Sequence, residues 1–232
     1  MARADTADAT RDTRELLLAA ALRAFSEKGF DGATARDIAT DAGVNHGLIR
    51  YYFGDKMKLW RAAVGLAFSQ LEEGLKVVQQ DPSATSDRDR AGLLIRNYVR
   101  FVARHPEFVR LMHEEGKRKG PRMRWIVDHH VKPLFEAVVQ ITGQHGVLRG
   151  LPDGIAPVHF HYILAGSVGV IFHQAEECKR LTGVDPFDVA IVEDHARAIE
   201  FLLLGPEIEG IGEIENPVID EPASSASTPW RK

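Results

Sequence analysis

Two groups of residues in this chain are of types that do chemistry: ten histidines, and a run of hydroxyls and cations between residues 34 and 61. The histidines do not form a reaction centre at the spacings they have. A carboxylate-bridged metal pair in a helical bundle needs Glu-x-x-His, so that both ligands share one helix face; no Glu here has a His three residues on. His159 and His161 would point about 200° apart on a helix, and His129 and His130 about 100° apart. His159 and His173 share a face but lie about four turns from each other, too far to chelate one ion. A single cysteine, Cys178, leaves no Cys/His zinc spacing. There is no glycine-rich phosphate loop and no Gly-x-Ser-x-Gly elbow. No catalytic residue, metal or cofactor is therefore expected, and the chain is not expected to be an enzyme. The commoner use of such histidines is as polar points in a mostly apolar pocket.

The second group suits phosphate and base edges. Thr34, Tyr51 and Tyr52 offer hydroxyls, Arg36, Arg50, Lys56, Lys58 and Arg61 offer cations, and Asn45 and His46 offer polar side chains. Such groups fix register on a phosphate backbone, whereas base contacts carry sequence. Bulk charge gives no support for a nucleic-acid partner. The net charge is −4, residues 1–60 hold nine basic against nine acidic side chains, and the acidic tail after Gly205 accounts for the whole excess. Only the patch Arg50, Lys56, Lys58 and Arg61 against Asp55 is locally positive.

The elements that must hold these residues are helices. The first is expected over about Thr13–Lys28, with Asp12 and Glu15 at capping-box spacing and Leu17, Ala20, Ala21, Ala24 and Phe25 as one apolar stripe. Gly29 is placed to end it. Residues 1–11 are small and polar and are expected to be mobile, with Arg3, Arg11 and Arg14 able to reach phosphate but more simply solvated. Thr34 should cap a short helix ending near Ala42. Gly43 supplies a positive-φ position for a tight turn, Val44 plugs it, and Asn45 caps the next helix, whose inner face carries Ile49 and Phe53. This is a helix-turn-helix, and its second helix opens with small or polar residues that can lie against base edges.

Thr34…Asp37-Ile38-Ala39…Ala42-Gly43-Val44…Gly47-x-Ile49-x-x-Tyr52-Phe53-x-x-Lys56 strongly resembles the signature of the tetracycline-repressor (TetR) family. The resemblance covers about Arg14–Ala67. It implies a phosphate contact from Thr34, a base or backbone contact from Arg36, and a recognition face of His46, Gly47, Leu48, Arg50 and Tyr51, with Asn45 counted among the DNA-binding residues at its start. It also implies phosphate contacts from Tyr52 and Lys56. Leu48 stands where the family commonly has a small or hydroxylated residue; it can meet a thymine methyl but cannot hydrogen-bond a base. Arg50 replaces a common aromatic and can either read guanine or hold phosphate.

Beyond residue 58 the pattern is a helical body over 59–205, for about nine helices in an all-α fold. Helix four should run Lys56–Gln80 and leave the DNA-binding unit (12–58) to enter the body. Helix five should span Asp87–Arg104, helix six should start at Pro106, and helix seven should run Pro121–Gln144 with a kink at Pro133. The loop Lys117, Arg118, Lys119, Arg122 and Arg124 could bind an anion, though a solvated loop is the plainer reading. Gly154–Ala175 lacks Asp, Glu, Lys and Arg. It approaches a membrane span in length, but Pro157, three histidines, Ser167 and Gln174 favour a buried central helix, extended to about Leu181. A last helix is expected from near Pro186 to Leu204.

The two final helices are the most apolar, and packing them against a two-fold mate buries the surplus. Gly166 and Gly169, with Ile191, Ala196, Ile199 and Leu203, are the expected dimer residues, and the resemblance implies the same interface. It also places an effector pocket within helices four to eight. Tyr98, Phe101, Phe108, Met112, Trp125, His129, Phe160, His161 and Phe172 are its candidates, each equally readable as core, and they hint at an apolar or aromatic ligand. The acidic segment 206–232 reads as an extended or flexible tail. No apolar h-region opens the chain, so a cytoplasmic, membrane-free homodimer is expected, regulating a double-stranded DNA operator under a small-molecule effector. The competing expectation is a helical small-molecule- or metal-binding protein that no longer binds DNA.

Overall fold

The computed structural model describes residues 2–79, 81–142 and 155–205. Every element among them is helical: α1 (Ala2–Gly32), α2 (Ala35–Asp41), α3 (Gly47–Phe53), α4 (Lys56–Gln79), α5 (Asp87–Arg104), α6 (Pro106–Gly116), α7 (Pro121–Ile126), a π turn (Val127–Val131), α8 (Lys132–Thr142), α9 (Pro157–His173), α10 (Ala175–Thr182) and α11 (Val189–Leu204). The expected tail 206–232 and the glycines Gly143 and Gly146 lie outside the described residues.

The N-terminal unit forms around α1. Leu17, Leu18, Ala20, Ala21, Leu22, Ala24 and Phe25 are buried against Ile38 and Ala39 of α2, Ile49 and Phe53 of α3, and Leu59, Trp60, Ala63 and Val64 of α4. The backbone of α1 is helical from Ala2, so Asp12 lies inside the helix and is not its cap. At Gly29 the backbone turns to φ 67°, ψ 172°, a region essentially reserved for glycine, and the helix is broken there. The ion pairs Arg23–Asp41 (2.7 Å) and Lys28–Asp37 (3.4 Å) tie α2 to α1 from the solvent side.

The body is built on α4, which crosses from the N-terminal unit into it. Its inner face carries Ala67, Phe68 and Leu71 in continuation of the same stripe. Ser86 caps α5 in a reciprocal pair with Asp89. Helix α5 is bound to α11 by Arg96–Glu200, by Arg100–Glu193 (2.6 Å), and by Arg88, whose guanidinium donates to the carbonyls of Leu204 and Gly205. Gly169 of α9 is buried against α6, and a methyl added there would sit 3.3 Å from Val109 Cγ1, so these two helices approach closely.

Besides the start of α1, three boundaries differ from expectation for local reasons. The expected helix seven is α7, a π turn and α8: Pro133 has no N–H for the carbonyl four residues back, and the widened turn precedes it. The uncharged helix stops at Gln174, where ψ reaches 35°, and α10 restarts as a separate polar helix. The last helix begins at Val189 because Asp185 Oδ1 accepts the Phe187 N–H, and the Asp185 carbonyl the Asp188 N–H, which holds Pro186 in a turn. No described helix is long and apolar enough to cross a membrane.

Candidate functional site

The recognition element is positioned by caps and by two buried anchors. Thr34 Oγ1 accepts the Asp37 N–H at 3.1 Å and starts α2. Asp37 also faces Lys28, and the Thr34 and Lys28 hydrogen bonds hold its carboxyl below the usual carboxylate range. Gly43 takes φ 69° in the connecting turn, and the Val44 N–H returns to the Ala39 carbonyl at 2.9 Å. Asn45 Oδ1 accepts the Gly47 N–H at 2.8 Å and is thereby engaged, but the N-cap position of α3 itself falls to His46, one residue later than expected and without a side-chain cap bond. Ile49 and Phe53 are buried, and this fixes the opposite side of α3 outward.

That outward side presents His46, Gly47, Arg50 and Tyr51, all exposed, with Tyr51 at 77 %. Thr34 and Arg36 of the preceding helix are exposed as well. Leu48 differs: it is half-buried and packs on the core, so only part of it is available to a base edge. Tyr52 is half-buried, its ring edge-on to Tyr51 at 5.0 Å. Lys56, at the start of α4, has Nζ 4.7 Å from the centroid of Phe30 and 3.5 Å from the Asp31 carbonyl, so a phosphate would compete with these contacts.

The basic segment after α6, expected as a loop through Arg124, is a loop only as far as Gly120, and Arg122 and Arg124 lie on α7. Arg118 pairs with Asp31 at 3.0 Å, and Arg122 Nε donates to both oxygens of the buried Glu115 at 2.9 and 3.0 Å while its guanidinium lies 4.5 Å from the Phe30 centroid. Lys117 pairs with Glu114. Two of these cations therefore join the body to the end of α1 beyond Gly29.

The candidate effector residues fall into three places. Phe101 and Phe108 stack edge-on at 5.4 Å, Phe108 meets Phe68 at 5.1 Å, and Phe68 lies parallel to His130 at 4.6 Å. Trp125 is 5.2 Å from His130 and 5.6 Å from Trp60, and Trp60 reaches Phe30 at 6.3 Å. Met112 and Tyr98 are half-buried on the core, and the Tyr98 phenol is pushed up to about 12 by burial. Phe172 lies elsewhere, beside Phe187 and His195. His161 packs on Phe135 and Tyr162, and Phe160 of the same helix is buried. His129 is exposed, its ring on Trp125 and its Nδ1 2.9 Å from the Trp125 carbonyl. The inward histidine is His130, which the spacing alone did not single out, and a π turn is the one local signal of it. Trp60 Nε1 and His130 Nε2 are buried without a hydrogen-bond partner. Among the described residues no three His, Cys, Asp or Glu side chains converge on a metal position.

The expected dimer residues are also split. Gly169, Ala196 and Ile199 are buried within the chain and Ile191 and Leu203 are half-buried, whereas Gly166 is exposed with open space beside it. On these two helices the exposed large apolar side chains are Val158, Tyr162, Ile163 and Val170 of α9, the last three around Gly166, and Val189, Phe201 and Leu202 of α11.

The profile of bacterial regulatory proteins of the tetR family matches residues 17–63, which run from the α1 core stripe through α3 into α4. The transcriptional repressor NicS of Pseudomonas putida is 35% identical over 180 residues, covering 70% of this chain and 76% of that protein. The chain belongs to the tetR family. It is a DNA-binding transcriptional regulator with a helix-turn-helix domain. Solved structures share the fold. A fatty acid metabolism regulator of Clostridium perfringens aligns with a TM-score of 0.66 at 17% identity, over 84% of this chain and 100% of its own. AibR, solved with isovaleryl coenzyme A and operator DNA, aligns with a TM-score of 0.62 at 20% identity, over 84% of this chain and 99% of its own.

Proposed function

We propose that this regulator is a cytoplasmic homodimeric repressor that leaves its operator when a small molecule binds the helical body. The observation that carries the DNA assignment is the outward face of α3: four exposed residues capable of meeting DNA, fixed by two buried anchors. In this reading residues 12–58 form the DNA-binding unit and 59–205 the effector and dimer domain. His46, Gly47, Arg50, Tyr51 and part of Leu48 face the major groove. Thr34, Arg36, Tyr52 and Lys56 hold phosphates, and Asn45 sets the entry of α3.

The second copy packs on Tyr162, Ile163, Gly166 and Val170 with Phe201 and Leu202. A two-fold pair presents two recognition helices to half-sites about one DNA turn apart. Effector binding acts as a population shift, which requires different affinities for the DNA-competent and released states. AibR, of the same fold, was solved with isovaleryl coenzyme A and operator DNA, which supports a small-molecule effector here.

The test is a gel shift with the DNA flanking the chain's own gene, at moderate salt and without ligand. A discrete, competitor-resistant complex is expected. Arg50→Ala should weaken it, and if Arg50 holds phosphate the dependence of log K on log salt should fall by about one unit. Absence of any specific complex across that region would overturn the DNA-binding reading.

A further inference from the structure

The geometry points to Trp60 Nε1 and His130 Nε2 as the two polar anchors of the effector site, taking a flat aromatic ligand that carries a hydrogen-bonding oxygen such as a carbonyl or carboxylate. This deepens the effector reading above and rests on it.

Buried polar atoms are nearly always paired, and the exceptions call for a partner. Trp60 is fully buried, yet its indole N–H meets no acceptor. An indole N–H only donates, so what completes it is an acceptor. His130 Nε2 is the second such atom, and both rings flank the same indole, Trp125. The surroundings are aromatic: Phe68 lies parallel to His130, Phe108 stands edge-on to Phe68, and the Arg61 guanidinium lies 5.4 Å from the Trp125 centroid. Burial holds the His130 imidazole below its ordinary range, which keeps it neutral near pH 7, with one ring nitrogen a donor and the other an acceptor. His130 also sits in the π turn, an irregularity that recurs at functional sites.

The place matters for regulation. Trp60 is in the first turns of α4 and touches Phe30, in the segment beyond Gly29 that Arg118 and Arg122 also grip. A ligand oxygen held by Trp60 would therefore bear on the joint between the DNA-binding unit and the body.

The experiment uses the full chain and three probes of similar size: benzamide, benzoate and toluene, titrated by calorimetry, with intrinsic tryptophan fluorescence as a second readout. Benzamide, benzoate or both should bind at least about tenfold more tightly than toluene, since only they satisfy the indole donor. A preference for benzoate over benzamide would assign an anionic oxygen, and the reverse a neutral one. In Trp60→Phe and His130→Phe, which keep an aromatic ring, the gap should collapse while toluene binding is retained; retained toluene binding also reports that the variant is folded. No binding of any probe, no advantage over toluene, or a gap unchanged in both variants would overturn the assignment. Operator affinity with saturating probe is measured separately. If the oxygen preference is found and the operator complex is unmoved, the anchors stand and the release reading falls.

Discussion

Arg122→Ala is the most direct test of how the body grips the DNA-binding unit. Glu115 is only 3 % exposed, and its two oxygens accept from Arg122 Nε at 2.9 and 3.0 Å. Removing the guanidinium strands a carboxylate in the interior, and breaking a buried pair from one side typically costs about 3–5 kcal/mol. The same substitution removes the cation from the Phe30 face. Arg118→Ala is the internal control: its pair with Asp31 is solvent-exposed on both sides and should be worth less than about 1 kcal/mol. In urea unfolding followed by far-ultraviolet circular dichroism, at one protein concentration so that subunit association is constant, Arg122→Ala should lower stability by about 3–5 kcal/mol. For a chain of this size that is roughly 6–20 °C in melting temperature. Replacing both partners, as in Glu115→Met with Arg122→Met, should recover most of the loss, because no charge is then left buried. If Arg122→Ala costs no more than Arg118→Ala, Glu115 is solvated and the joint is not held by this pair.

Two further predictions follow from the body. Tyr162→Asp places a charge in the exposed apolar stripe of α9 and should convert the dimer to monomer by light scattering; an unchanged dimer would move the interface elsewhere. Acidification should destabilise the fold. His130, His161 and His195 are held below the ordinary histidine value of 6.5 mainly by burial, so the unfolded chain takes up their protons first. Stability is then full above about pH 6.5 and falls as the pH drops toward the folded-state values. His195→Gln should flatten that slope, since His195 Nε2 lies 3.0 Å from the Ser167 carbonyl in a buried site. Stability that is flat or rising between pH 7 and 5 would contradict the assignment.

The N-terminal unit was legible in the sequence because its determinants are local. Thr34 caps within three residues, Gly43 turns within one, Asn45 accepts a backbone N–H within two, and Ile49 and Phe53 share a helix face by spacing alone. The helix starts at Asp87 and Pro106 followed from local chemistry in the same way, and the sequence placed both correctly. Leu48 shows the limit: spacing put it on the outer face, but the packing of neighbouring helices covers half of it.

What lies beyond short range needed the tertiary structure. Asp31 and Arg118 are 87 residues apart, so no pattern could show that the basic loop closes on the end of α1. Gly166 and Gly169 are both small residues on one helix, and only the position of Val109 decides that Gly169 faces inward while Gly166 remains outside. His129 and His130 are adjacent and chemically identical. A helix is a rotating frame, and one widened turn before Pro133 is enough to change which of them points into the protein. Sequence alone thus determined the family, the recognition helix and its anchors, because those depend on neighbours in the chain. Which side chains are left for the proposed effector anchors and dimer face, and how the end of α1 meets the body, depend on which distant helices pack together.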